Sequence, residues 1–248
     1  MLKDSGFSPF AFELKSETAD RAEKFLKKYS LNLDEPFVTL HLREKGFAFG
    51  DAPHHEFRNQ DVPSFYSAID WLLDQGIKVV RIGHEKMTKL PEKSGLIDLA
   101  SVQRPGEVDI FLTAKALFYY GNPSGPQSLA FQFGTPVLIT HVFPYTHMRQ
   151  NQLHQIQPIR EEKTGEILTI TELSKTDFRN ATSPQALKRH GVSPQKIAPD
   201  RHLDSVKEMM DFLGGGKICE LNHNSNKKKS LAGIPSDIYL TSSSLELL

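Results

Sequence analysis

Between residues 37 and 140 short continuous apolar runs alternate with segments whose apolar residues recur at helical spacing. The runs at 37–42 (FVTLHL), 78–82 (KVVRI), 117–120 (LFYY) and 136–140 (PVLIT) read as buried strands, with a shorter one at 96–99. Helices are predicted between them. At 61–75, Phe65, Ile69, Leu72 and Leu73 share a face, Asp61 stands at the N-cap with Pro63 in the first turn, and Gly76 is the stop. Further helices are expected at 109–116, which Asp109 would cap, and at 127–133, closed by Gly134. Ala19, Ala22, Phe25 and Leu26 mark a lead-in helix over 14–30. Past residue 145 the pattern weakens. Residues 166–173 read as a short strand or edge element and 203–212 as a helix ending at the 214–216 glycines; the last thirty residues look irregular.

Strands alternating with helices of this length predict an open, doubly wound α/β fold with a parallel sheet, Rossmann-like, and right-handed crossovers. The expected organisation is a helical lead-in over 1–36, a ligand-binding α/β domain over 37–213, and a partly irregular C-terminal extension over 214–248.

Charge narrows the partners. Thirty basic residues balance thirty acidic ones. General binding to nucleic acid or to a membrane surface needs a positive excess, so a positive field here has to be local. Cys219 alone cannot form an intramolecular disulfide or a zinc cluster. With no apolar run of bilayer-spanning length and no signal-peptide pattern at the N-terminus, the expected location is the cytoplasm or the periphery of the inner membrane.

In an open parallel sheet, ligands bind beyond the C-terminal strand ends. Arg43 follows the first strand, and its planar fork suits a diphosphate. Ser124 and Gly125 lie between a strand and a helix, where a hydroxyl, a close backbone approach and helix amides make a phosphate seat or an ordinary capped turn. Arg58 could add a second cation or be a solvated loop residue, and Arg81 could face a ligand or a salt bridge. His41 could hold the Arg43 fork or simply pack. Asn59, Asp61, Gly83 and Gln127 are supporting positions, although Asp61 is read as a helix cap before a base. Glu44, Asp51 and Glu56, in the long loop after the first strand, are the candidate general bases. Several familiar signals are missing: there is no Walker motif, no Gly-x-Ser-x-Gly elbow and no Gly-x-Gly-x-x-Gly. His54-His55 lacks metal-ligand spacing, His141, His147 and His154 are too irregularly spaced to share a helical face, and 227–229 (KKK) reads as a solvated loop.

Over about a hundred residues, the ordered blocks at 37–43, 58–61, 79–83, 97–100, 109–112, Ser124-Gly125 and 133–136 resemble the C-terminal, donor-binding half of bacterial GT-B-type glycosyltransferases. The Ser-Gly-Pro and Gly-Thr-Pro elements are similar to heptosyltransferases, and His-x-Arg to the fucosyltransferase-like group. The resemblance implies a nucleotide-diphosphate sugar donor and a glycan or lipid-linked acceptor in surface polysaccharide synthesis, with no cofactor and no metal. It places Arg43 on the pyrophosphate and Ser124 with Gly125 on phosphate, and carries Arg58 and Arg81 over less directly. Such enzymes place an acceptor lobe before the donor lobe, and only 36 residues precede the first strand here. A partner chain or a second copy would then supply it, or the chain would be a non-catalytic binding module.

Overall fold

The computed structural model describes residues 12–29, 31–32, 34–44, 59–143, 148, 152–174, 183–214 and 239–247. Seven parallel strands form one sheet in the order β3-β2-β1-β4-β5-β6-β9. They are β1 (Phe37–His41), β2 (Lys78–Arg81), β3 (Leu96–Asp98), β4 (Phe118–Gly121), β5 (Val137–Val142), β6 (Leu153–Ile156) and β9 (Tyr239–Leu240). Apart from β9, this is the 3-2-1-4-5-6 order of the doubly wound dinucleotide-binding fold. The chain runs outward from β1 through β2 to β3, then returns to β4 and runs outward the other way. The sheet therefore reverses between β1 and β4.

Period-two alternation along β1 sorts its side chains onto two layers. Val38, Leu40 and Leu42 point into the core under α2 (Tyr66–Asp74) and α7 (Pro199–Leu213), with Phe65, Leu72, Tyr120 and Val206. Phe37 packs on the other face with α1 (Ser16–Leu26) and α3 (Gly106–Lys115), against Leu26, Val80, Phe111 and Leu112. The same side continues under α4 (Gly125–Gln132), where Tyr119, Ala130 and Ile139 meet. Every residue of β1 is buried, and a fully buried Leu or Phe contributes roughly 1.5–3 kcal/mol, so β1 anchors both layers. His41 lies on the α4 side of its last residue pair.

Between β6 and α7 the chain makes a smaller unit. β7 (Ile159–Glu161) pairs antiparallel with β8 (Val192–Pro194), and α6 (Pro184–Arg189) lies beside them. Phe143, Ile159, Leu173, Leu187 and Val192 form its core. Within 166–173 the expected strand is a single bridge, Ile167 to Arg160, followed by α5 (Ile170–Ser174). At the end of the chain, β9 and α8 (Ser242–Leu245) extend the sheet edge.

Three helix starts differ from expectation. A 3₁₀ turn (Val62–Phe65) opens the α2 segment, and Asp61 stands at its N-cap position without a capping side-chain bond; its carboxylate takes Lys196 Nζ at 2.8 Å instead. α3 begins at Gly106, so Asp109 is inside the helix and no cap; Arg104 grips it through Nε (2.5 Å) and Nη2 (3.0 Å). α4 begins at Gly125, because Pro126 fits a first turn that has no hydrogen bond to lose.

Candidate functional site

At the reversal point the ends of β1 and β4 come unusually close. A Cβ on Gly121 would collide with the His41 carbonyl and crowd the Tyr119 hydroxyl, so only glycine lets the two strands meet here. Immediately beyond, the buried Asn122 reaches across: its Oδ1 accepts from the Arg43 backbone N–H at 2.8 Å. One side-chain amide thus fixes where the chain leaves β1 relative to where it leaves β4.

A pocket of about 250 Å³ opens on the α3/α4 side of this junction. Its walls are His41, Arg43 and Glu44 from β1, Gly83 and Met87 after β2, Asp109 from α3, and Ser124, Gly125 and Pro126 at the start of α4. Arg43 and Ser124, 81 positions apart in the sequence, therefore face one space. Ser124 occupies the N-cap position of α4 in an extended conformation, yet its side chain caps nothing. Its Oγ lies 3.3 Å from His41 Nδ1 and 3.1 Å from the Tyr119 hydroxyl. The first amides of α4 are left without a side-chain cap beside the pocket, at the positive end of the helix dipole. A Cβ built on Gly125 would meet nothing within 4 Å, so the backbone there faces open space.

Neither His41 nor Ser124 forms a nucleophile–base couple. Burial, and next the charges of Arg81, His84 and Arg43, hold the imidazole down at about 3, so at neutral pH it is uncharged and a poor proton acceptor. It orients the serine hydroxyl. Its described side-chain hydrogen bond is the one to Ser124 Oγ.

The remaining expected residues are distributed differently. Arg81 is fully buried and turned away from the pocket. Its Nη2 pairs with Glu44, while its Nη1 bonds the Thr88 carbonyl at 2.5 Å and lies 3.4 Å from Asp98. Glu44 is consumed by the same network, its second oxygen accepting from Thr88 N (3.0 Å) and Thr88 Oγ1 (2.5 Å). Arg81 is thus structural cement, and Glu44, though on the pocket wall, is tied by both carboxylate oxygens to Arg81 and Thr88. Gln127 is buried and donates to Gln152 at 2.8 Å, inside the α4–β6 contact and off the pocket wall. Gly83 does reach the wall. Asn59 and Asp61 line a second cleft, described below. Arg58, Asp51 and Glu56 lie outside the described residues.

Three residues that sequence reasoning passed over shape the site. Asn122 sets the strand-end spacing and Tyr119 holds the Ser124 hydroxyl. Arg104, which also donates to the Gly83 carbonyl at 3.0 Å, ties the β2 end to Asp109 of α3. An Arg-Pro dipeptide just before a helix and an Asn just after a buried strand were the available signals.

No family model matches the chain, and no curated protein matches it. Among solved structures, it is similar to the glycosyl transferase family 9 protein of Veillonella parvula, at 16% identity over 58% of this chain and 41% of that one, with a TM-score of 0.42. It is also similar to the E. coli ADP-heptose lps heptosyltransferase II (15% identity, 52% of this chain and 39% of that one, TM-score 0.38). The beta Kdo 2,4 transferase of Thermosulfurimonas dismutans is a third (15% identity, 53% and 47%, TM-score 0.30). The chain spans about two fifths of the length of the first two. The assignment to an open, doubly wound α/β fold rests on the strand order itself. Among the described residues, no helix is long and apolar enough to cross a membrane.

Proposed function

We propose that the pocket at the β1/β4 junction binds the diphosphate of a nucleotide sugar, and that the chain is the donor-binding part of a glycosyltransferase acting on a glycan or lipid-linked acceptor. The observation that carries this reading is the convergence of Arg43 and Ser124–Gly125 on one pocket. A guanidinium, a hydroxyl held by His41 and Tyr119, and uncapped helix amides would meet an anion from three directions. As the sugar leaves, negative charge grows on the diphosphate, and donors already in place stabilise it without reorganising. In this reading Arg43 and the α4 amides supply the positive field and no metal ion is required, so EDTA leaves donor binding unchanged.

A donor panel tests it. UDP, GDP, ADP and CMP sugars are added to the full chain and unfolding is followed by heat. At a hundredfold excess over Kd one of them should stabilise by about 2.7 kcal/mol, a rise of roughly 5–10 °C for a chain of this size. Arg43→Ala, which loses charge-assisted bonds of about 1.5–3 kcal/mol, should weaken binding roughly 10–150-fold. No rise with any donor, or a rise unchanged in Arg43→Ala, contradicts the assignment.

Gly125→Ala separates site from scaffold. The added methyl meets nothing within 4 Å outside its chain neighbours, and its one expected cost is the crowding that Pro126 imposes on a helical residue before it. The variant should stay folded with at most a small drop in melting temperature and bind the nucleotide less tightly, because the methyl occupies the close approach a phosphate needs. Unweakened binding would place the phosphate elsewhere.

One observation favours a second reading, a donor-binding module that relies on another lobe for its base. The two described carboxylates on the pocket wall are both engaged, Glu44 by Arg81 and Thr88 and Asp109 by Arg104. Donor binding without hydrolysis or transfer by the isolated chain would decide for the module.

A further inference from the structure

A second cleft of about 400 Å³ lies on the other side of Arg43, where the β7–β8 unit closes against the C-terminal ends of β5 and β6. The two spaces share a partition: the Gln60 backbone N–H donates to the Arg43 carbonyl at 2.9 Å, Arg43 faces the junction pocket, and Gln60 faces the cleft. The cleft is built unlike its neighbour. Asn59, Gln60, Gln157 and Gln195 all line it; Gln157 Nε2 donates to the Gln195 carbonyl and Gln195 Nε2 to Ser193 Oγ at 3.0 Å, which turns these two amides to a ligand as acceptors. Its charged groups are Asp61 and Lys196, which neutralise each other at 2.8 Å. Asn59 Oδ1 is buried without a hydrogen-bond partner. Pro194, Ile197 and the ring edge of His141 provide an apolar patch beside these amides. His141 itself is held in the left-handed region (φ 55°), where a residue without glycine's freedom is strained. Burial, and then the neighbouring His202, keep its ring uncharged.

A phosphate would find no uncompensated cation here, and a nucleobase would find no Phe, Tyr or Trp among the lining residues, only the His141 ring already packed against Phe65 and His202. A pyranose offers what the lining asks for: hydroxyls that donate and accept in alternation, no charge, and one C–H face for the apolar patch. We infer that this cleft is a saccharide site, taking an uncharged pyranose unit. It rests on the donor-site reading only for its role, since the pyranose is either the sugar of the nucleotide donor crossing the Arg43 partition or the acceptor waiting beside it. Asp61, freed from capping, is the carboxylate that touches its hydroxyls.

The test uses the full chain, ¹⁵N-labelled, titrated with the methyl glycosides of glucose, galactose, mannose and N-acetylglucosamine, with no nucleotide present. At least one should shift backbone amides of residues 59–62, 64 and 195–197. Asp61→Ala, a half-exposed position whose loss cannot empty the core, should weaken that binding about fivefold or more, the loss of about one hydrogen bond. Ser124→Ala should leave it unchanged. A nucleotide sugar that displaces the glycoside identifies the donor's sugar as the source; a glycoside that still binds beside a saturating nucleotide sugar identifies the acceptor. The inference is overturned if no glycoside shifts these amides, if Asp61→Ala binds as well as the parent, or if adenosine, uridine, guanosine or cytidine shifts them instead. Because the donor reading is scored separately by Arg43-dependent nucleotide binding, either can fail while the other stands.

Discussion

Replacing Arg81 with methionine is expected to lower unfolding stability by about 3–5 kcal/mol, the usual consequence of removing one partner from a buried ion pair. Arg81 is fully buried, and Glu44 and Asp98 keep 13% of their side-chain surface each. Without the guanidinium two carboxylates remain facing each other across the ends of β2 and β3. Methionine fills much the same length, so the loss reflects charge more than volume. Asp98 would keep its bonds from the Leu90 and Ala100 amides, at 2.9 and 3.0 Å, and Glu44 its bonds from Thr88; those contacts hold the anions in place rather than letting them swing to water. Urea unfolding at neutral pH measures the loss. The nucleotide-induced rise in melting temperature should survive in the folded fraction, because Arg81 does not reach the pocket. A loss below about 1 kcal/mol together with abolished nucleotide binding would restore Arg81 to the ligand and make its carboxylate partners incidental.

That arginine also shows where reading a sequence stops. The sheet was legible from 37 to 140 because β1, β2, β4 and β5 are buried on both faces and so appear as unbroken apolar runs. Arg43 and Ser124 were legible because a parallel sheet delivers whatever follows a strand to the same edge. Arg81 follows the same positional logic, but its partners are 37 and 17 residues away in sequence, and no local pattern announces them. β6 was hidden for a related reason. Its buried Gln155 is satisfied by donating to Ser205 at 2.8 Å and accepting from Thr140 at 2.6 Å, and its buried His154 by the Tyr239 carbonyl at 3.0 Å. Polar residues that meet each other inside a protein look, one at a time, like surface residues. The second cleft escaped for both reasons, since it is assembled from amides on three distant segments.

Those hidden polar residues carry the other large expected effect, acid unfolding well above the range where carboxylates titrate. Desolvation leads the causes for all four histidines concerned: His41 and His202 are held at about 3, His154 at about 4, and His141 well below an ordinary imidazole. His202 stacks on Phe65 at 4.0 Å between ring centres and meets the Tyr120 hydroxyl through Nδ1 at 3.1 Å, and burial outweighs the opposing pull of the Asp200 carboxylate. All four are neutral when folded and free to protonate near 6.5 when unfolded. The unfolded state therefore binds more protons as pH falls, and stability is full above about 6.5 and lost progressively below it. At pH 5 His41, His154 and His202 should each have cost the fold about 2 kcal/mol, or about 6 kcal/mol together, and His141 adds to it in the same direction. Glu208 works in the opposite direction, because burial raises its carboxyl above the usual range and protonating it relieves the fold, but one carboxyl offsets only part of four imidazoles. A loss of that size is comparable to the whole stability of an ordinary domain, about 5–15 kcal/mol, so the chain should unfold near pH 5 at room temperature. Urea midpoints between pH 7.5 and 5.5 measure the slope, which approaches about 5 kcal/mol per pH unit if four protons are taken up on unfolding. A slope corresponding to fewer than two protons would mean that these rings are already charged in the fold, and that the neutral His41 which orients Ser124 is not there.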